Sequence, residues 1–362
     1  MAADSQCVCE DLDEMTAGIS KHNSDHFQVM SLLCAVLVVM IHSGVAPVAG
    51  SWQSMILACI RGVERIAVPF FFMASGYFLA GHIGEQDWYK HAVGKRVFSL
   101  VVPFFIWFFA LRIYGMSFYW MGSILGMDVC VDKMTVTWNE FFYLSGFNPF
   151  KRVDIVWYLR NVFFLVVLSP AYVMLRRVGR GVVLLALYAL YVLHEANVAS
   201  GSGWWMCFEN FFSWRGAFFF LLGVTLRQSG RALDVKPACG TVVGVIGSIL
   251  VLVRPVNCFQ LISWWMEGAS VLMIMTFFWS VTTNVSLPKS MEGLSMPIYL
   301  IHLFVLIGIE KVFRVLGLKI WLQTSLLAFG LKVAIAIVAS VFLAKLLRKY
   351  FPTGARVMFG GR

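Results

Sequence analysis

The amino-acid sequence predicts an all-α, polytopic membrane protein, and its composition, apolar runs and distribution of basic residues all indicate that class. The chain has 362 residues, of which 60% are hydrophobic and 13% charged, and its mean hydropathy is +0.79. Soluble domains have about 25% charged residues and about 45–50% apolar ones. This chain therefore has too little polar surface for a soluble enzyme, and it is far too apolar to be disordered.

Apolar runs bounded by charged residues, Pro or Gly predict the transmembrane helices, because a membrane-spanning helix needs about 20 apolar residues. In the seventh run, Gly240 and Gly244 form a small-xxx-small pattern, which predicts close helix packing. We expect about ten transmembrane helices with short connections. The runs cover residues 27–47, 55–80, 97–115, 155–176, 181–199, 210–229, 238–253, 261–284, 294–310 and 325–348.

The basic residues predict the orientation of these helices. When the N-terminus is placed inside, the inner segments carry 16 Lys and Arg residues and the outer segments carry seven. Cytoplasmic loops of membrane proteins hold the excess of Lys and Arg. Both termini are therefore predicted to be cytoplasmic, and the net charge of +10 calls for no nucleic-acid partner.

The chain divides into one membrane domain and two tails. Residues 1–26 are acidic and are predicted to form a disordered cytosolic tail, and residues 351–362 a basic cytosolic tail. The membrane domain covers 27–350, and its longest external connection, 116–154, is rich in Trp and Phe. The eight Cys residues show no metal-binding spacing, so no metal site is expected.

Five arginines inside the predicted spans are the first functional signal. A charge at bilayer depth costs at least about 2.5–3.5 kcal/mol on insertion scales, so it needs a partner or water. With the predicted orientation all five lie in the outer half of the membrane, and we expect them to line a polar cavity that opens outside. The alternative is that their side chains snorkel to the outer headgroups. The five are Arg61, Arg65, Arg112, Arg160 and Arg215.

Glu64 is an acidic neighbour of two of these arginines. Arg61 and Arg65 lie four residues apart on one helix face, with Glu64 on an adjacent face, so a local ion pair is expected. Glu64 is also a candidate for proton transfer at this site.

Two histidines stand in apolar runs. His42 is late in the first run and is well suited to proton transfer, because a neutral imidazole accepts a proton near neutral pH. His302, near the middle of the ninth run, raises the same possibility. The alternative for each is a packing residue whose polar atoms are satisfied locally.

A basic cluster precedes the third run. Lys90, Lys95 and Arg96 either enforce the orientation or bind the phosphates of a nucleotide-like donor.

Five strings, in this order along the chain, resemble the acyltransferase-3 family of integral membrane acyltransferases. The resemblance runs from about residue 27 to the end of the chain. The strings are VVMIHS at 38–43, RIAVPFFFMASGYFL at 65–79, KR at 95–96 with VPFFIW at 102–107, VWYLR at 156–160, and IYLIH at 298–302.

The resemblance implies a ten-helix enzyme that moves acetyl or succinyl groups from cytoplasmic acyl-CoA to hydroxyls of extracytoplasmic glycans. Acetyl-CoA or succinyl-CoA is then a donor substrate, and no cofactor is permanently bound. Membrane lipids and a glycan of the cell envelope are the expected partners, in the bacterial plasma membrane. Whether the chain forms a homo-oligomer is left open.

The same resemblance assigns roles to particular residues. His42 matches the essential histidine of the family, Arg65 the arginine before the Ser-Gly-Tyr segment, and His302 the late histidine. The basic pair Lys95 and Arg96 and the motif residues Trp157, Tyr158 and Arg160 match as well. At Ser31 the chain departs from the family, since many members carry a basic residue eleven positions before the histidine.

These observations lead to one expected mechanism and one rival. His42 is expected to deprotonate the acceptor hydroxyl or to carry the acyl group transiently, while Arg65 or a neighbour stabilises the oxyanion of the tetrahedral intermediate. Glu64 is counted with these two as a catalytic residue. Lys90, Lys95 and Arg96 are expected to bind the donor. The acceptor cavity is expected to contain Arg61, Arg112, Trp157, Tyr158, Arg160, Arg215 and His302. The rival is a transporter in which the same arginines and histidines bind an anionic small molecule.

Overall fold

The computed structural model describes residues 21–124, 154–200, 213–229, 235–252 and 260–361, and all regular elements in these ranges are helices. Most of the predicted acidic tail and most of the long external connection lie outside the described residues. The α-helices are α1 Lys21–His42, α2 Trp52–Glu64, α3 Ala67–Ala80, α4 Trp88–Arg96, α5 Val102–Ile124, α6 Trp157–Val173, α7 Arg177–Ser200, α8 Trp214–Gln228, α9 Pro237–Leu252, α10 Gln260–Thr282, α11 Ser295–Val315, α12 Lys319–Thr324, α13 Leu326–Tyr350 and α14 Pro352–Met358.

Every apolar run falls on a helix, so the prediction of an all-helical membrane protein is confirmed. Within the described residues, five helical segments are long and apolar enough to cross a bilayer. The number of crossings and the side on which the termini lie stay predictions. The five segments are Asn23–His42, Trp88–Leu111, Arg177–Glu195, Ser295–Val315 and Leu326–Tyr350.

The second apolar run forms two helices, because a proline interrupts it. In a continuous helix the N–H of residue 69 would bond to the carbonyl of Arg65, but Pro69 has no N–H and its ring would meet that carbonyl. Helix α2 therefore ends at Glu64 and α3 starts at Ala67. This break places Arg61, Glu64 and Arg65 at the end of a short helix, where their side chains meet other elements.

The basic cluster lies at the start of a membrane helix. A π-helical turn over Val97–Val101 joins α4 to α5, and the candidate span Trp88–Leu111 runs through it. Helix α4 packs against α6, where the Tyr89 hydroxyl donates to the carbonyl of Val167 at 3.1 Å.

Glycines allow two helix pairs to approach closely. In the α3–α8 pair, a Cβ atom at Gly76 would overlap the carbonyl oxygen of Phe220, and one at Gly223 would overlap that of Met73. In the α9–α10 pair, Gly240 faces the Ser280 side chain and Gly244 faces Phe277. The predicted close packing at Gly240 and Gly244 is confirmed.

Helix α1 is central in the bundle, since it contacts α2, α3, α10, α11 and α13. The C-terminal residues pack on another part of the bundle. Within the predicted tail 351–362, α14 lies against α5, and the Trp107 indole N–H donates to the carbonyl of Met358 at 2.8 Å. Phe359 is fully buried there and stacks on the Trp107 ring.

We expect Gly223→Ala to lower the melting temperature of the detergent-purified protein, because the added methyl group collides with backbone in α3. Overpacking of this kind costs about 1–3 kcal/mol. Gly330→Ala is the matched control, since a Cβ atom there meets nothing within 4 Å. Equal melting temperatures for the two variants would contradict the close α3–α8 contact.

Candidate active site

His42 is the last residue of α1, and its ring is turned back onto that helix. The Nδ1 atom lies 2.9 Å from the carbonyl oxygen of Val38, and the hydroxyl of Ser43 donates to the carbonyl of Val39 at 2.7 Å. Both side chains bond back to carbonyls in the last turn of α1, and the backbone N–H of Ser43 also donates to the Val39 carbonyl at 3.0 Å. A carbonyl can only accept, so Nδ1 of His42 carries the proton and Nε2 holds the basic lone pair.

His302 of α11 lies beside His42, with the two ring centroids 5.1 Å apart. Its Nδ1 atom donates to the carbonyl of Ile298 at 3.1 Å, so it has the same tautomer. The His302 ring is fully buried, and its Nε2 has no hydrogen-bond partner in the described part of the chain. The structure thus brings together the two histidines that the sequence singled out on separate helices.

Two tyrosines connect this pair to α3 and α6. The Tyr299 ring lies 6.3 Å from that of His302 and 5.8 Å from that of Tyr158. The Tyr158 hydroxyl donates to the carbonyl of Phe71 at 3.0 Å and accepts from the Ser75 hydroxyl at 2.9 Å. The Tyr299 hydroxyl donates to the carbonyl of Ile155. Both tyrosine hydroxyls are therefore engaged in fixing helices, which makes these residues supports of the histidine pair.

The start of α6 holds the remaining motif residues. The Trp157 ring lies 6.0 Å from that of Phe72, and Arg160 is half-buried. Sequence reasoning missed Asn161, which is 1% exposed and accepts a hydrogen bond from the backbone N–H of Ser213 at 2.9 Å. An amide directly after the motif, within an apolar run, was the signal for it.

The arginines of α2 make their contacts with distant parts of the chain. Arg65 forms an ion pair with Glu267 of α10, and Arg61 donates to the carbonyl of Val45 at 3.0 Å. Glu64 is buried, and its Oε1 makes no hydrogen bond within the described residues. Arg61 acts on Glu64 electrostatically, but neither arginine forms a direct ion pair with it in the described residues, and Arg65 pairs with Glu267 of α10 instead.

A cavity of about 460 Å³ with a mixed polar and apolar lining lies next to the chain that follows His42. Arg61, Arg65 and Glu267 line it together with Ser54, and Ala46 and Pro47 form another part of its wall. Two of the five arginines of the spans thus share one cavity, whereas the sequence led us to expect all five in it.

Arg215 does not line this cavity. Arg215 of α8 is 3.9 Å from Glu195 of α7, and the buried Tyr191 lies in electrostatic range of both Glu195 and Glu267. Sequence reasoning missed Glu195 and Glu267, although each is a single acid inside an apolar run, a pattern that marks a function or a buried pair. Arg112 belongs to α5, but its side chain lies outside the described residues.

The expected donor-binding residues are all on α4. Lys90 and Lys95 are exposed and Arg96 is half-buried. Ser31, where the chain departs from the family pattern, is half-buried in α1.

The fold and these side chains define an integral membrane protein with a pair of histidines, and with a cavity lined by charged residues next to the chain after His42. A family model described as an acyltransferase domain matches residues 28–345, and the chain therefore belongs to the acyltransferase-3 family. The protein is accordingly an acyltransferase, as the resemblance implied. No curated protein and no solved structure gives a significant match to the chain.

We expect Glu267→Gln to destabilise the protein, because it leaves the Arg65 guanidinium without its counter-charge inside the bundle. The loss should be smaller than the about 3–5 kcal/mol typical of a fully buried pair, since the Arg65 side chain is 37% exposed. Thermal denaturation in detergent measures it, with the exposed Glu292→Gln as the control. Equal melting temperatures for the two variants would show that the ion pair contributes nothing to stability.

Proposed function

We propose that this acyltransferase moves an acetyl or succinyl group from acyl-CoA to a hydroxyl of an extracytoplasmic glycan, with His42 as the general base. Family membership supports the acyl transfer. The observation that carries the assignment of the base is the His42–His302 pair, in which hydrogen bonding at Nδ1 leaves Nε2 of His42 as the basic atom.

The proposed chemistry moves one proton and one acyl group. Nε2 of His42 takes the proton of the acceptor hydroxyl, and the hydroxyl oxygen attacks the thioester carbonyl. The tetrahedral intermediate then expels the CoA thiolate, which receives the proton from Nε2 of His42. Because Nε2 of His302 has a lone pair and no hydrogen-bond partner in the described residues, it can accept a hydrogen bond from protonated His42. A transient acyl group on Nε2 of His42 is the two-step form of the same transfer.

The cavity beside Arg61 and Arg65 is the proposed acceptor site. Its walls carry charges of both signs, since Glu267 lines it with the two arginines, and a serine hydroxyl contributes as well. Such a surface can bind the hydroxyls of a sugar as both donors and acceptors. Arg61 or Arg65 would stabilise the oxyanion, a role that typically lowers the barrier by about 2.7–4 kcal/mol.

The donor site is proposed on α4, where Lys90, Lys95 and Arg96 would bind the phosphates of CoA. Ten crossings with both termini in the cytoplasm would place α4 inside and His42 in the outer half of the membrane. His42 lies roughly 22 Å along α1 from the start of its apolar run. The pantetheine arm of the donor would have to enter the bundle to cover that distance.

This orientation also suits a bacterial plasma membrane and an acceptor in the cell envelope. The transporter reading is not favoured, because family membership indicates covalent transfer and not movement of an unchanged solute. Detection of a covalently acylated product distinguishes an acyltransferase from a transporter directly.

We expect His42→Ala to lose at least about 100-fold in acyl transfer, because general base catalysis contributes about 10²–10⁴-fold. The assay follows label from acyl-labelled acetyl-CoA and succinyl-CoA into lipid and glycan fractions of membranes that contain native acceptors. His82→Ala is the control, since His82 pairs with Glu85 in the turn before α4. Full incorporation by His42→Ala, or none with either donor in the wild type, would contradict the proposal.

Neutralising the basic pair should weaken donor binding selectively. We expect Lys95→Gln with Arg96→Gln to raise the KM for acyl-CoA about tenfold or more with little change in kcat, because ground-state binding is what the phosphate contacts supply. Acyl donors that lack the 3′-phosphate should lose less between wild type and variant. Lys289→Gln, an exposed lysine outside α4, is the control. An unchanged KM would remove α4 from the donor site.

A further inference from the structure

Lys332 is a buried cation about two turns into an apolar helix, and none of the roles described above uses it. The residue belongs to α13, a candidate membrane span, and is 1% exposed. Its Nζ donates a hydrogen bond to the carbonyl oxygen of Gly44 at 3.0 Å. A charged side chain inside an apolar span is costly to insert, and such residues often have a functional role.

The bond from Lys332 belongs to a set that holds the chain directly after His42. Arg61 of α2 donates to the carbonyl of Val45 at 3.0 Å. The backbone N–H of Ala46 donates to the carbonyl of Gln323, in α12, at 2.7 Å. Three successive residues are thus bound by three different elements.

This arrangement matters because α1 ends at His42. Beyond the end of a helix the backbone has no regular hydrogen bonds within its own segment, so its position depends on bonds to other elements. Gly44 has no side chain that could pack, so other elements can hold it only through its backbone, and Lys332 binds its carbonyl. The cation that reaches this carbonyl comes from α13, which also contacts α11, the helix of His302.

We propose that Lys332 is a positioning residue for acyl transfer, in which its ammonium group, bound to the Gly44 carbonyl, fixes the end of α1 and so places His42 against His302. The proposal rests on the proposed role of His42 as the base. It assigns Lys332 no contact with substrate. Arg61 shares the task through Val45, in addition to lining the cavity.

The charged neighbour of Lys332 on α11 is Glu310, which acts on the ammonium group electrostatically. If Lys332 served only to pair with this acid, Glu310→Gln would reproduce the effects of removing the lysine. If Lys332 serves through Gly44, Glu310→Gln should leave turnover close to that of the wild type.

The test compares Lys332→Met with Lys345→Met, which removes an exposed lysine from the same helix. We expect Lys332→Met to lower kcat at least about tenfold while both KM values stay within about twofold, because a displacement of about 1 Å in a catalytic group can cost 10²-fold in rate. Lys332→Arg keeps a cationic donor and should recover part of the lost kcat. Wild-type kcat in Lys332→Met would overturn the proposal, and so would equal losses in Lys332→Met and Glu310→Gln.

A second measurement does not need turnover. The protein has seven histidines, and ¹⁵N-histidine spectra in lipid bilayers can be assigned for His42 by the signals missing in His42→Gln. We expect the His42 signals to shift in Lys332→Met and not in Lys345→Met. If the wild type transferred no acyl group, the proposed function would fail, and these spectra alone would decide whether Lys332 positions His42. Unchanged His42 signals in Lys332→Met would overturn the positioning role.

Should Lys332→Met not fold, the same two measurements on Lys332→Gln and Lys332→Arg decide the question. Gln carries a neutral, shorter donor, and Arg a cationic one. The proposal predicts lower kcat and shifted His42 signals for Gln, with values nearer to wild type for Arg. Wild-type values in Lys332→Gln would contradict it.

Discussion

Side chains from several elements hold the end of α1 and the residues directly after it, and much of the site depends on these bonds. Here the ring of His42 and the hydroxyl of Ser43 bond back to α1, and Lys332 and Arg61 reach the carbonyls that follow. The bond from Nδ1 of His42 to the Val38 carbonyl also selects the tautomer of the ring. One hydrogen bond therefore fixes both the orientation of the His42 ring and the nitrogen that holds its basic lone pair.

The position of His302 depends on a different constraint, the close approach of α3 and α8. Gly76 and Gly223 let these two backbones touch, which fixes α3 in the bundle. Helix α3 in turn offers the Phe71 carbonyl and the Ser75 hydroxyl to Tyr158, and the ring of Tyr158 lies against that of Tyr299, one turn before His302. The short motifs of the sequence thus form one connected structure, in which small residues set the spacing and tyrosine hydroxyls hold it.

The sequence predicted the helices well, because each apolar run carries its own information in length and boundaries. It also singled out both histidines and the arginines, because charged and titratable groups stand out in an apolar run. The partners of these charged residues could not be predicted in the same way. Arg65 lies next to Glu64 in the chain, yet its ion pair is with Glu267, some 200 residues away in the numbering and adjacent only in three dimensions. The sequence shows the proline that interrupts the run. The direction of the Arg65 side chain, however, depends on how α10 packs in the bundle. The bond from Lys332 to Gly44 ends on a backbone carbonyl, which leaves no trace in the sequence at all.

The pairing of the arginines also bears on what the cavity can select. An arginine whose charge is balanced by a nearby carboxylate attracts a free anion less than an unbalanced one, since the two fields partly cancel. Arg65 is balanced by Glu267 and Arg215 by Glu195. A carrier of small anions needs the opposite arrangement, in which cations in its pathway are left for the solute to neutralise. Walls that carry both signs favour a neutral ligand rich in hydroxyl groups, because each hydroxyl can donate to a carboxylate and accept from a guanidinium. The charge pattern therefore supports the proposed sugar acceptor over an anionic solute.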